Sequence, residues 1–278
     1  MASATAVKPR VVSREEWLKE RKALLTKEKE LTRQKDAVSA ERRKLPWVKL
    51  DKNYVFDGPN GKVALADLFD GRSQLLVYHF MFGPDWAEGC PSCSFLMDHT
   101  DGTLIHLAQR DVAFSAISRA PIEKIETFKK RMGWRFPWVS SNHNDFNYDF
   151  HVSFTKEEQA KGKVDYNYTM AEFPSTEAPG LSVFYKDDAG NIFHTYSSYG
   201  RGTETGVGTY HYLDLVPKGR DEDGLSFTMA WVRHHDRYDS GYFADADRPY
   251  WPKDAALATP KETKKKADAG CCAGEHKA

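Results

Sequence analysis

The sequence predicts an α/β fold whose central sheet has a parallel core. Two short apolar runs, residues 75–82 and 112–118, are typical of buried strands. Each run precedes a segment with helical spacing, and this alternation favours parallel strands joined by right-handed crossovers. Residues 181–185 and 192–196 flank a turn at 187–190 and predict an antiparallel hairpin on the same sheet.

The composition supports a packed protein and excludes several functional classes. Of the 278 residues, 40% are hydrophobic and 13% aromatic, and the 40 basic residues balance the 40 acidic ones. A neutral chain has no overall field that attracts nucleic acid or an anionic membrane. No run approaches the length of a membrane span, and residues 1–14 lack the apolar core of a secretory signal. With four cysteines, the chain suits a reducing cytoplasm, so we predict a cytoplasmic protein that binds neither nucleic acid nor a membrane.

A charged amphipathic helix is predicted over residues 13–45, after a disordered start at 1–12. Ser13 and Glu16 have the spacing of a capping box. Apolar residues recur every seven positions, with two leucines alongside: Trp17, Leu24, Leu31 and Val38, and Leu18 and Leu25. Two interpretations of this stripe are open. We favour packing against the chain's own body, and the alternative is a homodimer formed through the helix.

The remaining elements follow in chain order. We predict a strand at 47–56, a turn at 57–61, a return strand at 62–65, one helical turn at 66–69, a helix from Pro121 and a short strand within 136–141. A loop-rich insertion spans 142–177, an aromatic extension packs on the core at 210–251, and the tail 252–278 is disordered by composition.

The motif Cys90-Pro91-Ser92-Cys93 lies between the first buried strand and the helix-like segment that follows it. Amides in the first turn of a helix have no intrahelical partner and carry partial positive charge, so they stabilise a thiolate. Cys90 is therefore expected to be the more acidic, attacking thiol. Cys93, three residues later, can reach back to resolve a mixed disulfide. This spacing predicts redox chemistry at the dithiol.

Two questions about the dithiol are open from the residues alone. Asp85 and Glu88 precede the motif, and their charge would raise the pKa of Cys90, although one of them could accept a proton from Cys93. A zinc site is the second alternative, but a closed site needs four ligands. The other cysteines, Cys271 and Cys272, lie in the tail without comparable spacing. We therefore predict no metal and no cofactor.

Taken in order, these elements resemble the redoxin branch of the thioredoxin superfamily, which contains peroxiredoxins and thiol-disulfide oxidoreductases. Over about residues 47–200 the similarity is carried by the runs 61–68 with 75–78, 117–121 with 136–137, and 178–184 with 188–191. More narrowly, the chain resembles the bacterial family catalogued as domain of unknown function 899. That similarity is carried by the aromatic closing segment and by two N-terminal runs, Arg14-Glu15-Glu16-Trp17-Leu18 and Leu45-Pro46-Trp47.

This resemblance implies a thioredoxin-like three-layer fold over residues 46–251, with a central mixed sheet, helices on both faces, the added N-terminal helix and the insertion. It implies a thiol-disulfide oxidoreductase that acts on a protein or small-molecule thiol or disulfide. Cys90 takes the place of the nucleophile and Cys93 that of the resolving thiol. Pro179 takes the place of a cis-proline that faces the dithiol.

The chain departs from the peroxiredoxin pattern Pro-x-x-x-Thr/Ser-x-x-Cys. Ala87 and Gly83 stand three and seven residues before Cys90, where that pattern has a hydroxyl residue and a proline. A thiol peroxidase is therefore the alternative to the oxidoreductase, and a non-catalytic thioredoxin-like binding or assembly module is the other alternative.

Three further segments have simpler interpretations. The cluster at 234–239 is expected to be a solvated or interface segment, and the glycine-rich run 200–208 a flexible loop. Four insertion residues are expected either to roof the dithiol or to pack beneath the loop: Tyr148, His151, Tyr166 and Tyr168.

Overall fold

A computed structural model describes residues 9–238 of the chain. Its helices are α1 (Arg14–Arg42), α2 (Pro91–Met97), α3 (Leu104–Ala108), α4 (Ile122–Arg131), α5 (Phe146–Asp149), α6 (Lys156–Ala160) and α7 (Gly208–Leu213). Its strands are β1 (Val48–Lys49), β2 (Val55–Gly58), β3 (Gly61–Ala64), β4 (Gln74–His79), β5 (Val112–Ser118), β6 (Trp138–Ser140), β7 (Val164–Tyr166), β8 (Thr169–Ala171), β9 (Gly180–Lys186) and β10 (Ile192–Tyr199).

Eight of these strands form one mixed sheet in the order β1-β10-β9-β4-β5-β6-β2-β3, and β7 pairs with β8 apart from it. Strand β4 runs parallel to β5, and β5 runs parallel to β6. On the other side of β4, strands β9 and β10 form the predicted antiparallel hairpin. The order β10-β9-β4-β5 is the thioredoxin-like arrangement, and the predicted α/β fold is confirmed.

Side chains alternate across the sheet and build a separate core on each face. Leu75 and Val77 of β4 face a core that includes Phe146 of α5. Tyr78, on the opposite face of β4, packs with residues of α2 and α4, such as Phe95 and Phe128. Helices therefore cover both faces, as a three-layer fold requires, and the dithiol belongs to the second core.

The predicted strand at 47–56 is wrong as a single element. β1 and β2 are separate strands that lie near opposite ends of the sheet, because β1 pairs with β10 whereas β2 pairs with β3 and β6. The run 200–208 is also not a flexible loop, because Gly200–Gly206 forms a 3-10 helix.

The helical segment after the dithiol is interrupted rather than continuous. α2 ends at Met97, a 3-10 turn spans Asp101–Thr103, and α3 follows. The carboxylate of Asp101 accepts hydrogen bonds from the backbone amides of Arg135 and Phe136, at 2.9 Å and 3.1 Å. This contact fixes the interruption between the two helices.

The N-terminal helix α1 is present and begins at Ser13, whose hydroxyl accepts from the amide of Glu16 at 3.1 Å. No residue of α1 is buried in the described part of the chain, so the favoured interpretation, packing on the chain's own body, is wrong for residues 9–238. Within residues 9–238 no helix has the length and apolar character needed to cross a membrane. Residues 1–8 and 239–278, which include Cys271 and Cys272, lie outside the described residues.

Candidate functional site

The dithiol lies on the first turn of α2. Cys90 is the N-cap residue of this helix and Pro91 is its first helical residue. An N–H at that position would have no partner within the helix, so proline loses no hydrogen bond there. The amide of Cys90 donates to the carbonyl of Met81 at 3.0 Å, and its carbonyl accepts from the amide of Ser94 at 2.9 Å. These backbone bonds fix the turn on which both thiols are carried.

The two thiols have different surroundings and different acidities. Cys90 is half-buried, whereas Cys93 is 1% exposed, and both are free thiols. Hydrogen bonding with the Cys93 side chain lowers the pKa of Cys90 to about 7, against the effect of burial. Burial raises the pKa of Cys93 well above its ordinary value. At neutral pH a large fraction of Cys90 is therefore thiolate, and Cys93 is the protonated thiol that donates to it.

Tyr78 is a candidate site residue that the sequence did not indicate. It lies on β4, is 2% exposed and shares a core with Cys93. Hydrogen bonding from Tyr78 lowers the pKa of Cys93, opposing burial, and burial raises the pKa of Tyr78 well above its usual range. The phenol thus stays protonated and donates to the Cys93 sulfur. The alternation of β4, which directs Tyr78 to the α2 face, was the available signal.

The two carboxylates considered as acid or base have other surroundings. Glu88 pairs with Arg131 at 2.8 Å and with Arg237 at 2.7 Å. Asp85 is exposed to solvent. Glu88 therefore anchors the loop before the dithiol. The side chain beside the Cys93 sulfur is Tyr78, where the sequence had suggested a carboxylate.

The segment that ends the described chain is folded against the dithiol loop. His234 is 4% exposed, and its Nε2 donates to the carbonyl of Gly89 at 2.8 Å. Its Nδ1 accepts from Arg131 at 3.1 Å, and Arg131 also holds Asp236 at 2.8 Å. Burial lowers the pKa of His234, so one neutral tautomer satisfies both contacts. The interpretation of this segment as solvated is wrong for His234.

Pro179 immediately precedes β9, whose first residue Gly180 pairs with His79 at the end of β4. The predicted cis bond is wrong, because no cis peptide bond occurs in the described part of the chain. The segment is held extended from both sides. The amide of Ala178 donates to the carbonyl of Val152 at 2.9 Å, and the carbonyl of Pro179 accepts from Tyr166 at 2.8 Å.

Of the four insertion residues singled out, Tyr166 is the one bonded to the Pro179 segment, and its hydroxyl also accepts from the amide of Gly200 at 2.8 Å. The other three have contacts elsewhere: Tyr148 with Arg119, His151 with Asp165, and Tyr168 with Ser197. Through Tyr166 the insertion therefore contacts the segment that enters β9. Among residues 9–238, no group of three or more His, Cys, Asp or Glu side chains could hold a metal ion.

Comparisons with known proteins give one family and several distant structural similarities. Residues 6–238 match the model of a family described as a bacterial protein of unknown function (DUF899). No curated protein gives a significant match.

Three solved structures illustrate the structural similarities. Peroxidoxin BcpB from Mycobacterium tuberculosis has a TM-score of 0.39 and 13% identity, covering 59% of this chain and 94% of that chain. A cysteine-to-serine mutant of peroxiredoxin Q from Xanthomonas campestris has a TM-score of 0.40 and 12% identity, covering 58% and 90%. A similar mutant of PrxQ from Xylella fastidiosa has a TM-score of 0.39 and 13% identity, covering 60% and 94%.

Proposed function

The chain belongs to the bacterial family DUF899, whose function is unknown, and we propose from its dithiol that it catalyses thiol-disulfide exchange. One observation carries the proposal. A half-buried sulfur with a pKa of about 7 lies beside a buried thiol whose pKa is raised, on the same turn of α2. An attacking thiol must be acidic and accessible, and a resolving thiol must stay protonated beside it until the second step.

The reaction proceeds by two displacements. The Cys90 thiolate attacks one sulfur of a substrate disulfide, the substrate S–S bond breaks, and the departing sulfur leaves as a thiolate that takes up a proton. Cys93 then loses its proton and attacks the Cys90 sulfur. The mixed disulfide breaks, the second substrate thiol is released, and a Cys90–Cys93 disulfide remains. Two electrons pass from the dithiol to the substrate, and the reverse sequence oxidises a substrate dithiol.

Tyr78 assists the second displacement in this proposal. Cys93 is 1% exposed, so its thiolate forms without solvent to stabilise it. The hydrogen bond from Tyr78 lowers the pKa of Cys93 and supplies a fixed donor where the negative charge develops. In the second displacement the attacking Cys93 sulfur is therefore the atom that Tyr78 stabilises.

A thiol peroxidase is the second candidate, and one observation favours it. Both the backbone amide and the hydroxyl of Ser92 form hydrogen bonds that lower the pKa of Cys90, so donors are available at the attacking sulfur. The absence of a hydroxyl residue at position 87 places this candidate second. Peroxide consumption with a dithiol reductant, measured beside disulfide reduction, distinguishes the two activities.

The reactivity of Cys90 is expected to titrate near pH 7. The thiol has a lowered pKa of about 7 against an ordinary value of 9.0, so at pH 6 it should carry about a hundred times more thiolate than an ordinary cysteine. Iodoacetamide alkylation of Cys90, followed by mass spectrometry from pH 5 to 10, measures the midpoint. Cys93→Ala removes the hydrogen bond and should raise that midpoint; a midpoint above 8.5 in the unsubstituted dithiol contradicts the assignment.

The central experiment is the capture of the reaction intermediate. In a background with Cys271→Ser and Cys272→Ser, the Cys93→Ser variant cannot resolve a mixed disulfide. Treated with oxidised glutathione, it should accumulate a stable adduct at Cys90, which mass spectrometry of peptides locates. Cys90→Ser is the matched control and should form little adduct, because Cys93 is buried. An adduct mainly on Cys93, or none on either thiol, rejects the proposed exchange reaction.

A further inference from the structure

The apolar stripe of α1 is a surface that the proposed activity does not use. Six side chains form it, each between 39% and 55% exposed: Trp17, Leu18, Leu24, Leu25, Leu31 and Val38. Isolated helices are only marginally stable in water, and most of their stability in proteins comes from covering an apolar face. No residue of α1 is buried within residues 9–238. The helix therefore needs a partner that the described chain does not supply.

We propose that this stripe joins two copies of the chain in an antiparallel homodimer. The repeat of seven residues from Trp17 to Val38 keeps one apolar row straight along the helix, as in a coiled coil. With 29 residues, α1 is about 43 Å long. A partner must present a rod of matching length and repeat, and a second α1 is such a rod.

Charge selects the antiparallel arrangement. Leu18 and Leu25 form a second apolar row, and between the two rows lies a charged row that contains Arg21 and Glu28. A parallel pair would place Arg21 opposite Arg21 and Glu28 opposite Glu28, which is unfavourable. An antiparallel pair centred between Leu24 and Leu25 places Arg21 opposite Glu28 of the second copy, twice. The same register places Arg14 opposite Lys35, also twice, so half of these contacts are favourable, whereas every like-with-like contact of the parallel pair is unfavourable.

The same register also matches the apolar rows. Each apolar row faces the same row of the second copy. Leu24 therefore lies next to Leu24, Leu25 next to Leu25, and Trp17 next to Leu31, each with an axial offset of about 1.5 Å. Such a contact is isologous, because each copy contributes the same surface. Apolar side chains thus meet apolar side chains along the centre of the helix.

The composition of the helix favours a second copy over a lipid surface. α1 carries nine basic and seven acidic side chains, whereas helices that bind anionic membranes concentrate basic residues on their polar face. A strip about 43 Å long and about 10 Å wide on each helix buries on the order of 900 Å² in total, at the small end of specific interfaces. The dimer should therefore dissociate reversibly on dilution.

Sedimentation equilibrium of the full chain, between about 5 and about 200 micromolar, tests the proposal. The mass should rise towards twice that of the chain as concentration increases. The double variant Leu24→Glu/Leu25→Glu should remain monomeric with an unchanged near-ultraviolet spectrum. A chain that stays monomeric throughout this range overturns the proposal, and so does a variant that dimerises as well as the original.

Charge exchange tests the antiparallel register separately. Arg21→Glu should weaken association at least tenfold, because a carboxylate at position 21 would then face the Glu28 carboxylate of the second copy. The double variant Arg21→Glu/Glu28→Arg should restore association, and lack of restoration overturns the antiparallel pairing. Binding of the monomeric chain to phosphatidylserine vesicles would assign the stripe to a membrane instead. None of these outcomes depends on the exchange activity of the dithiol.

Discussion

Replacing Gly89 with alanine is expected to slow thiol-disulfide exchange by about two orders of magnitude. A Cβ at this position would lie 2.6 Å from Cε1 of Phe80 and 2.8 Å from Cε1 of Phe128. Both rings are buried, at 1% and 4% exposed, so the backbone must shift instead. Overpacking of this kind costs about 1–3 kcal/mol. Because Cys90 follows directly, the shift misplaces the attacking sulfur, and a misplacement of about 1 Å can cost about a hundredfold in rate.

The measurement is the rate of reduction of oxidised glutathione, with thermal unfolding followed in parallel. Gly102→Ala is the matched control, since a Cβ there meets nothing within 4 Å, and it should leave both quantities unchanged. An active Gly89→Ala protein with ordinary stability would show that the loop tolerates the shift. The dithiol would then not depend on the tight packing of this turn.

The elements that were predicted correctly are those with a strong local pattern. β5 occupies residues 112–118 as predicted, because a short apolar run between polar segments specifies a buried strand without distant information. The start of α2 at Pro91 was also evident, since proline in a first helical turn is a local signal. Local periodicity therefore accounts for the core of the sheet and for the position of the dithiol.

The parts that were missed depend on contacts between distant residues. His234 reaches Gly89 across 145 positions of sequence, and adjacent histidines carry no local sign of burial. The split of 47–56 into β1 and β2 depends on which strands they join, namely β10 on one side and β6 on the other. The segment at Pro179 is held by hydrogen bonds to Val152 and Tyr166, which lie on another segment. None of these can be obtained from spacing alone.

Replacing Arg119 with methionine is expected to destabilise the fold by about 1.5 kcal/mol at pH 8, because a buried charge that loses its partner takes up a proton instead. That charge is Glu177, which is 1% exposed and pairs with Nη1 of Arg119 at 3.0 Å. The hydroxyl of Ser153 donates to the other carboxylate oxygen at 2.6 Å. Methionine keeps much of the apolar volume of the arginine side chain and removes only its charge and donors.

The size of this loss should depend on pH in a direction fixed by Glu177. Burial raises the pKa of Glu177 to about 7 from 4.5, although Ser153 and Arg119 oppose the rise. A carboxyl whose folded-state pKa is raised stabilises the fold fully below pH 4.5, and this contribution is lost as the pH rises through 7. Without Arg119 the pKa of Glu177 rises further, so the variant should match the original in stability at pH 5 and be less stable by about 1.5 kcal/mol at pH 8.

Urea unfolding of both proteins at pH 5 and pH 8 measures the two losses. The double variant Arg119→Met/Glu177→Gln is the matched control, because it removes both charges and should recover most of the stability at pH 8. Equal losses at the two pH values would mean that Arg119 acts through packing, for instance against the Tyr148 ring 4.6 Å from its guanidinium. A loss that depends on pH instead identifies the buried ion pair as the group that fixes the segment entering β9. Glu177 lies two residues before Pro179, and the strand that follows pairs with the end of β4, from which the dithiol loop departs.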